Sequence, residues 1–130
     1  MSLQEANNSR ILQSYFVLLS QLNDLDTAEQ GYLKALHREP NNLGTSLDLS
    51  LSDVLDMIRG YAHFLSAYRH NHQEAERYNL KGLEIAPDDP YILVNYASSL
   101  LLQDGKESYG ITAIHRALRT KWYFCDPESN

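Results

Sequence analysis

Apolar residues recur at intervals of three and four over most of the chain, and this spacing is typical of one face of an α-helix. Short polar or proline-containing segments interrupt the spacing and divide the chain into six predicted helices. These helices cover about 9–22, 26–40, 53–68, 73–86, 91–102 and 107–120. No two stretches alternate β-branched or aromatic residues with polar ones in the way that a hairpin requires. The pattern therefore predicts an all-α fold.

Residues that begin or end helices mark several of these boundaries. Asp26 and Glu29 form a capping-box-like opening for the second helix, and Pro40 ends it. Asp89 and Pro90 combine an N-cap residue with a proline in the first turn, where the missing N–H costs nothing. Local backbone chemistry therefore supports the boundaries that the apolar spacing predicts.

The helices pair, and the pairs repeat. The second, fourth and sixth helices carry small residues seven positions apart, namely Ala28 and Ala35, Ala75 and Gly82, and Gly110 and Ala117. The first, third and fifth helices match as the triples Ile11, Ile58 and Leu93; Tyr15, Ala62 and Ala97; and Leu18, Leu65 and Leu100. The last two units are 35 residues apart, as Tyr61 and Tyr96 show. A period of this length indicates stacked supersecondary units.

One domain over 9–120 is predicted from this repetition. Its three units cover about 9–40, 53–87 and 90–120, between an N-terminal tail at 1–8 and a C-terminal tail at 121–130. The first two units are 47 residues apart, so about 12 extra residues form an insertion near 43–52. We interpret the insertion as a surface loop, and the alternative is an extended segment that lies against the protein's own groove.

The unit resembles the tetratricopeptide repeat (TPR), two antiparallel helices with small residues seven apart in the second helix and a proline five residues later. The first unit matches in full, at Ala28, Tyr32, Ala35 and Pro40. Asn79 stands where the second unit should have a large aromatic residue, and Trp122 stands at the proline position of the third. The resemblance implies an α-α superhelix, a right-handed solenoid of three antiparallel helix pairs.

The resemblance also implies a concave groove, lined by the first helix of each unit, that binds a protein or peptide. The candidate partner-binding residues are Leu12, Gln13, Phe16, Arg59, His63, Tyr91, Asn95 and Ser98, and Ser9, Asp56 and Val94 share their predicted faces. Leu12, Phe16 and Val94 are candidate apolar anchors, while Arg59 and Asn95 are suited to a partner's backbone or carboxylate.

Chaperone-binding TPR domains hold a carboxylate in a clamp of Lys, Asn and Arg residues. Arg59, His63 and Asn95 occupy some of the corresponding positions, but a third clamp helix would lie beyond residue 120. The alternative interpretation is that these are ordinary solvated residues on an exposed helix face.

Charge argues against nucleic acid as a partner. The chain has 11 Lys and Arg against 17 Asp and Glu, which gives a net charge of −6. It therefore has no excess positive charge to neutralise the phosphates of a nucleic acid. A pentatricopeptide or half-TPR protein associated with RNA is the alternative function, because the 35-residue period and the segment 61–65 resemble those families. Pentatricopeptide proteins read single-stranded RNA from a basic groove, whereas this chain is acidic.

Catalysis has no support in the sequence. His70 and His72 form the only close histidine pair, in a predicted turn without a third ligand at zinc-site spacing. No phosphate-binding glycine loop or Ser-His-Asp arrangement is visible. We therefore expect no enzyme activity, cofactor or metal. Without an apolar run long enough to span a membrane, we expect a soluble cytoplasmic protein with no membrane partner.

The C-terminal tail carries an apolar segment, 122–125, which contains Cys125, the single cysteine. A stack of repeats needs a cover over its last unit. We expect this segment to form that cover, and the alternative is an exposed patch through which the chain self-associates.

Overall fold

The structure of the protein is a computed structural model, which describes residues 3–36 and 51–119. These residues form six α-helices, and no strand occurs among them. The helices are α1 (Leu3–Gln21), α2 (Leu25–Leu36), α3 (Leu51–Ala67), α4 (His72–Ile85), α5 (Pro90–Leu101) and α6 (Glu107–Leu118). The predicted all-α class is confirmed over this part of the chain.

The helix boundaries differ from the predicted ones at two places. α1 begins at Leu3, so residues 3–8, which we predicted to be a tail, are helical. Good helix formers precede Asn8 and Ser9, so this pair does not start a helix even though it resembles an N-cap. α3 begins at Leu51, so the end of the predicted insertion is also helical. The rest of that insertion and the C-terminal tail lie outside the described residues.

Consecutive helices are joined by three to five residues within each pair, and connections of this length make neighbouring helices antiparallel. α1 contacts α2, α3 contacts α4, and α5 contacts α6. The first helices of successive pairs also touch, because α3 contacts both α1 and α5. The odd-numbered helices therefore lie side by side.

Aromatic rings form the centre of the larger of two core clusters. The tilted rings of Phe16 and Tyr32 lie 4.8 Å apart between centroids, and those of Tyr32 and Tyr61 lie 5.5 Å apart. Tyr61 meets the edge of Tyr78 at a centroid distance of 4.8 Å. Burial raises the pKa of the Tyr32 hydroxyl to about 12. Asn79, which replaces the expected aromatic residue of the second unit, is buried beside Tyr78 in the chain, and Tyr78 supplies the ring instead. The core thus runs through the first two helix pairs as one aromatic chain.

The smaller cluster holds the third pair to α4. It consists of Leu83, Ile92, Leu93 and Ala117. A side chain added at Gly82 would place its Cβ 3.0 Å from Ile92 Cδ1 and 3.2 Å from the Cγ2 of Ile58. Gly82 therefore lets α4 approach two neighbouring helices closely. All six small positions predicted from the seven-residue spacing are buried.

α1 buries a different face from the one that the matching triples imply. The triples match Ile11, Tyr15 and Leu18 with residues of α3 and α5 that are buried. In α1 these three residues are exposed, while Phe16 and Leu19 are buried. Each of the three exposed residues is followed by another apolar residue, so α1 carries two apolar stripes that are one residue out of phase. The structure buries the second stripe, and the predicted triples are wrong by one position in α1.

Gly31 explains why Phe16 fits into the core. A Cβ at Gly31 would lie 2.2 Å from Cε1 of the Phe16 ring. The ring therefore occupies the space that the side chain of any other residue type at position 31 would fill. The corresponding positions of the second pair are Ala62 and Tyr78, where the small residue is on the first helix and the large one on the second. The first pair therefore has the reverse arrangement of large and small residues.

Replacing Gly31 with alanine tests this packing. In a helix interior, alanine is normally more stabilising than glycine by about 1 kcal/mol. We expect Gly31→Ala instead to lower the free energy of unfolding by about 1–3 kcal/mol, because the methyl group overlaps Phe16. Chemical denaturation followed by circular dichroism measures the change.

Two controls accompany this variant. Gln30→Ala, at the exposed neighbouring position, is expected to change stability by less than about 0.5 kcal/mol. In a Phe16→Leu background, Gly31→Ala should cost less than it does in the wild type, since the smaller side chain leaves room for the methyl group. A Gly31→Ala protein as stable as the wild type would contradict the assigned contact.

A carboxylate joins the first helix pair to the second. Glu29 follows the small residue Ala28 on α2 and accepts hydrogen bonds from Tyr61 Oη at 2.8 Å and Arg69 Nε at 3.0 Å. Arg69 also pairs with Asp26 at 2.6 Å. Burial raises the pKa of the Tyr61 hydroxyl, and its hydrogen bond to Glu29 raises that pKa further. These bonds tie α2 to α3 and to the turn after it.

The same kind of joint connects the second pair to the third. Glu76 follows the small residue Ala75 on α4, and it accepts hydrogen bonds from Gln103 Nε2 at 2.9 Å and Lys106 Nζ at 2.8 Å. Burial opposes ionisation of Glu76, but the hydrogen bonds from Lys106 and Gln103 keep its pKa below the usual value. Ile111 stands at the equivalent position of α6, so the third pair lacks this carboxylate.

The Glu76 joint predicts a specific pH dependence of stability. Because the pKa of Glu76 is lower in the folded protein, its carboxylate stabilises the fold above the unfolded pKa, and this contribution is lost as the pH falls through the folded pKa. We expect Glu76→Gln to lower the free energy of unfolding by about 1–2 kcal/mol at pH 7. The gap to the wild type should narrow as the pH falls from about 5 to about 3.

Urea denaturation of both proteins at several pH values measures this gap. Glu84→Gln, at an exposed position of the same helix, provides the control and should track the wild type at every pH. A gap between wild type and Glu76→Gln that stays constant with pH would show that the charge of Glu76 is not what stabilises the joint.

Candidate functional site

The start of α5 is fixed by Asp89. Its Oδ1 accepts hydrogen bonds from the backbone N–H groups of Tyr91 at 3.0 Å and Ile92 at 3.1 Å, and Pro90 is the first helical residue. The predicted cap and first-turn proline are confirmed. This cap fixes where α5 begins, and therefore which of its residues share a face.

One face of α5 is buried and the other is accessible. Ile92, Leu93, Ala97 and Leu100 lie in the core. The accessible face, which we call the α5 surface, consists of Tyr91, Val94, Asn95, Ser98 and Leu101. Tyr91 is 58% exposed and Val94 is 52% exposed, one helical turn apart, with the half-buried Asn95 beside them. The structure thus brings three of the predicted partner-binding residues, Tyr91, Asn95 and Ser98, onto one surface.

Arg59 lies beside this surface, but its charge is already matched within the protein. Its Nη1 donates to Asp89 Oδ2 at 2.8 Å, and its Nη2 forms a second ion pair with Asp56. Two carboxylates face one guanidinium, so the position offers a partner no uncompensated positive charge. The arrangement does not favour the carboxylate clamp and gives Arg59 a structural role, linking α3 to the beginning of α5.

The remaining predicted residues on the first helices are less uniform. His63 is exposed on α3, one turn after Arg59. Leu12 and Gln13 are half-buried on α1. Phe16 is 5% exposed and packs against Tyr32 and Gly31, so the prediction that it anchors a partner is corrected, and Phe16 is a core residue.

The histidine pair lies where the turn after α3 meets the start of α4. The rings of His70 and His72 lie 6.5 Å apart, and His72 Nδ1 is 3.2 Å from Ser66 Oγ. Among residues 3–36 and 51–119, no three or more His, Cys, Asp or Glu residues are grouped so that they could hold a metal ion. Within the same residues, no helix is long and apolar enough to cross a lipid bilayer.

Sequence reasoning missed the residues that join the helix pairs. Glu29 and Glu76 are 47 residues apart, the same spacing as Ala28 and Ala75. This equal spacing could have identified them as residues at equivalent positions. The ion pair between Arg59 and Asp89 had no such signal, because it spans 30 residues and occurs once.

Comparison with known proteins adds no relative. A scan against models of protein families finds no match, and a search of curated proteins finds no similar chain. The resemblance to tetratricopeptide repeats therefore remains a prediction from the spacing of residues.

The double role of Asp89 can be tested against its neighbour. We expect Asp89→Ala to lower the free energy of unfolding by about 2 kcal/mol, because it removes the α5 cap and the partner of Arg59 together. Asp88→Ala is the matched control. Asp88 is exposed, and its ion pair with Arg116 is long, at 3.8 Å. We expect it to cost less than about 0.5 kcal/mol.

A second variant separates the two contributions of Asp89. Asn is as good an N-cap residue as Asp, so Asp89→Asn keeps the cap but weakens the bond to Arg59. Thermal unfolding should place Asp89→Asn between the wild type and Asp89→Ala. Equal stability of the Asp88→Ala and Asp89→Ala proteins would contradict both roles.

Proposed function

We propose that the protein is a protein-protein interaction module or small scaffold that binds a peptide or a partner helix and performs no catalysis. In this proposal the six helices form a short TPR-like α-α superhelix, a right-handed solenoid of three antiparallel pairs. The groove that binds the partner is lined by the first helices of the pairs, α1, α3 and α5.

Three observations support the solenoid arrangement. The odd-numbered helices contact each other in sequence, from α1 to α3 to α5. The small residues that recur in α2, α4 and α6 are all buried. The carboxylate joints at Glu29 and Glu76 repeat at equivalent positions, so the first and second junctions between pairs use the same chemistry. Recurring contacts between neighbouring units are typical of repeat proteins.

The α5 surface is the observation that carries the binding proposal. Tyr91 and Val94 are large, exposed and adjacent, and Asn95 and Ser98 supply hydrogen-bonding groups within the same two turns. Interfaces commonly combine a few apolar or aromatic anchors with polar groups around them. The described part of the chain therefore has a surface of the right chemistry on a helix that is fixed by its cap.

The charges around this surface define the partner further. Arg59 is balanced by Asp56 and Asp89, so this group of three side chains has a net negative charge. The whole chain has a net charge of −6. We propose that the partner segment is apolar with neutral or basic flanks, because an acidic segment or a nucleic acid would be repelled.

A comparison of two charge-matched variants tests this proposal. The tagged protein and its Val94→Glu and Thr112→Glu variants are used to capture proteins from the source cell, and the captured proteins are identified by mass spectrometry. Thr112 is exposed on α6 and is not part of the α5 surface, so both variants add one negative charge at an exposed helical position. We expect specific proteins that the wild type and Thr112→Glu retain and that Val94→Glu loses.

Other outcomes would overturn the proposal. Equal retention by all three proteins would place binding outside the α5 surface. Retention of RNA that decreases steeply with salt would favour the RNA-associated alternative. Circular dichroism melting curves of the three proteins confirm that a lost partner does not result from a lost fold.

A further inference from the structure

An exposed apolar stripe runs along α1. Ile11 is 64% exposed, Tyr15 and Leu18 are each 49% exposed, and Leu22 is 68% exposed. With 3.6 residues per turn these four side chains lie within an arc of about 60°. Leu22 follows the last residue of α1, but its backbone N–H still donates to Leu18 O at 2.9 Å, so it continues the helical turn. We call these four residues the α1 stripe.

The α1 stripe exists because Phe16 and Leu19 take the core positions of α1. It is exposed, and it lies on a different helix from the α5 surface. Contiguous exposed apolar residues on a helix commonly mark an interaction site. No charged residue occurs from residue 11 to residue 23, so nothing on the helix opposes apolar contact along the stripe.

The spacing of the stripe points to its occupant. The intervals between its four residues are four, three and four, a series that reads the same from either end. We propose that a second copy of this chain occupies the α1 stripe, with the two α1 helices packed antiparallel about a two-fold axis. This axis places Ile11 against the partner subunit's Leu22, and Tyr15 against the partner subunit's Leu18. A two-fold interface requires such a self-complementary patch.

The charges at the two ends of the stripe select the antiparallel orientation. Arg10 precedes the stripe, Asp24 follows it, and both are exposed. An antiparallel pair brings Arg10 beside the partner's Asp24, at the C-terminal end of the partner's α1, where the helix dipole is negative. A parallel pair would place like charges together at both ends. Opposite charges at the edges of helix pairs commonly set partner orientation.

The small area of the stripe limits the affinity of the dimer. One helix per copy provides less surface than the roughly 800 Å² per partner of a standard interface. We therefore expect a dimer that forms and dissociates with concentration. The proposal rests on the α1 stripe and does not depend on the α5 surface.

The first experiment measures the mass of the full chain by light scattering after size-exclusion chromatography, from about 1 to about 200 µM. We expect the wild-type mass to rise from 14.9 kDa toward twice that value. Leu18→Glu should raise the dissociation constant about tenfold or more, because it buries a charge in the interface.

Val17→Glu is the matched control for Leu18→Glu. Val17 is 47% exposed, adjacent in the chain, and about 130° around the helix from the centre of the stripe. We expect Val17→Glu to dimerise as the wild type does. A wild type that stays at monomer mass throughout, as it would if a segment of its own chain covered the stripe, overturns the proposal. Equal dimerisation of Leu18→Glu and wild type also overturns it.

Two further measurements test the orientation. Arg10→Asp and Asp24→Arg should each weaken the dimer, and the double variant should restore it. In a Cys125→Ser background, a mixture of Tyr15→Cys and Leu18→Cys proteins should form disulfide-linked heterodimers in higher yield than either protein alone, because these positions face each other. More efficient cross-linking of either single variant with itself would overturn the antiparallel arrangement.

Discussion

The packing of the Phe16 ring against Gly31 determines the rotation of α1 about its own axis. The ring fills the space above the glycine and continues through Tyr32 into the aromatic chain that unites the first two helix pairs. With this rotation, Leu19 is also buried, and the α1 stripe is left on the outside. A single large-against-small contact thus decides both what the core contains and what the protein presents to other molecules.

Local chemistry made much of the fold predictable, and longer-range contacts account for what was missed. The cap at Asp89 acts within one helical turn, and the small residues Ala28 and Ala75 recur at equivalent positions, so both signals are visible in the sequence. The face of α1 was not predictable in this way. The helix carries two neighbouring apolar stripes, and the glycine that accommodates Phe16 lies on another helix. Likewise, the sequence marks Arg59 as a cation but does not show that Asp89 neutralises it.

Polar contacts among the described residues hold the helix pairs together. Glu29 and Glu76 each receive two hydrogen bonds from the following helix pair or its turn, and Asp89 divides its two oxygens between α5 and Arg59. The exposed groups of the α5 surface are, by contrast, mainly apolar or neutral. These joints hold the helix pairs in place, as the proposed binding role of the α5 surface requires.

In the proposed solenoid, Ile111 stands where the first two pairs have a glutamate, and this has a consequence for how such a chain can lengthen during evolution. A duplicated copy of the second unit would bring its own carboxylate and could be joined to the next unit through the existing chemistry. A copy of the third unit would meet an isoleucine, and its turn donors would find no acceptor there. Internal growth of the array is therefore easier than growth at its C-terminal end.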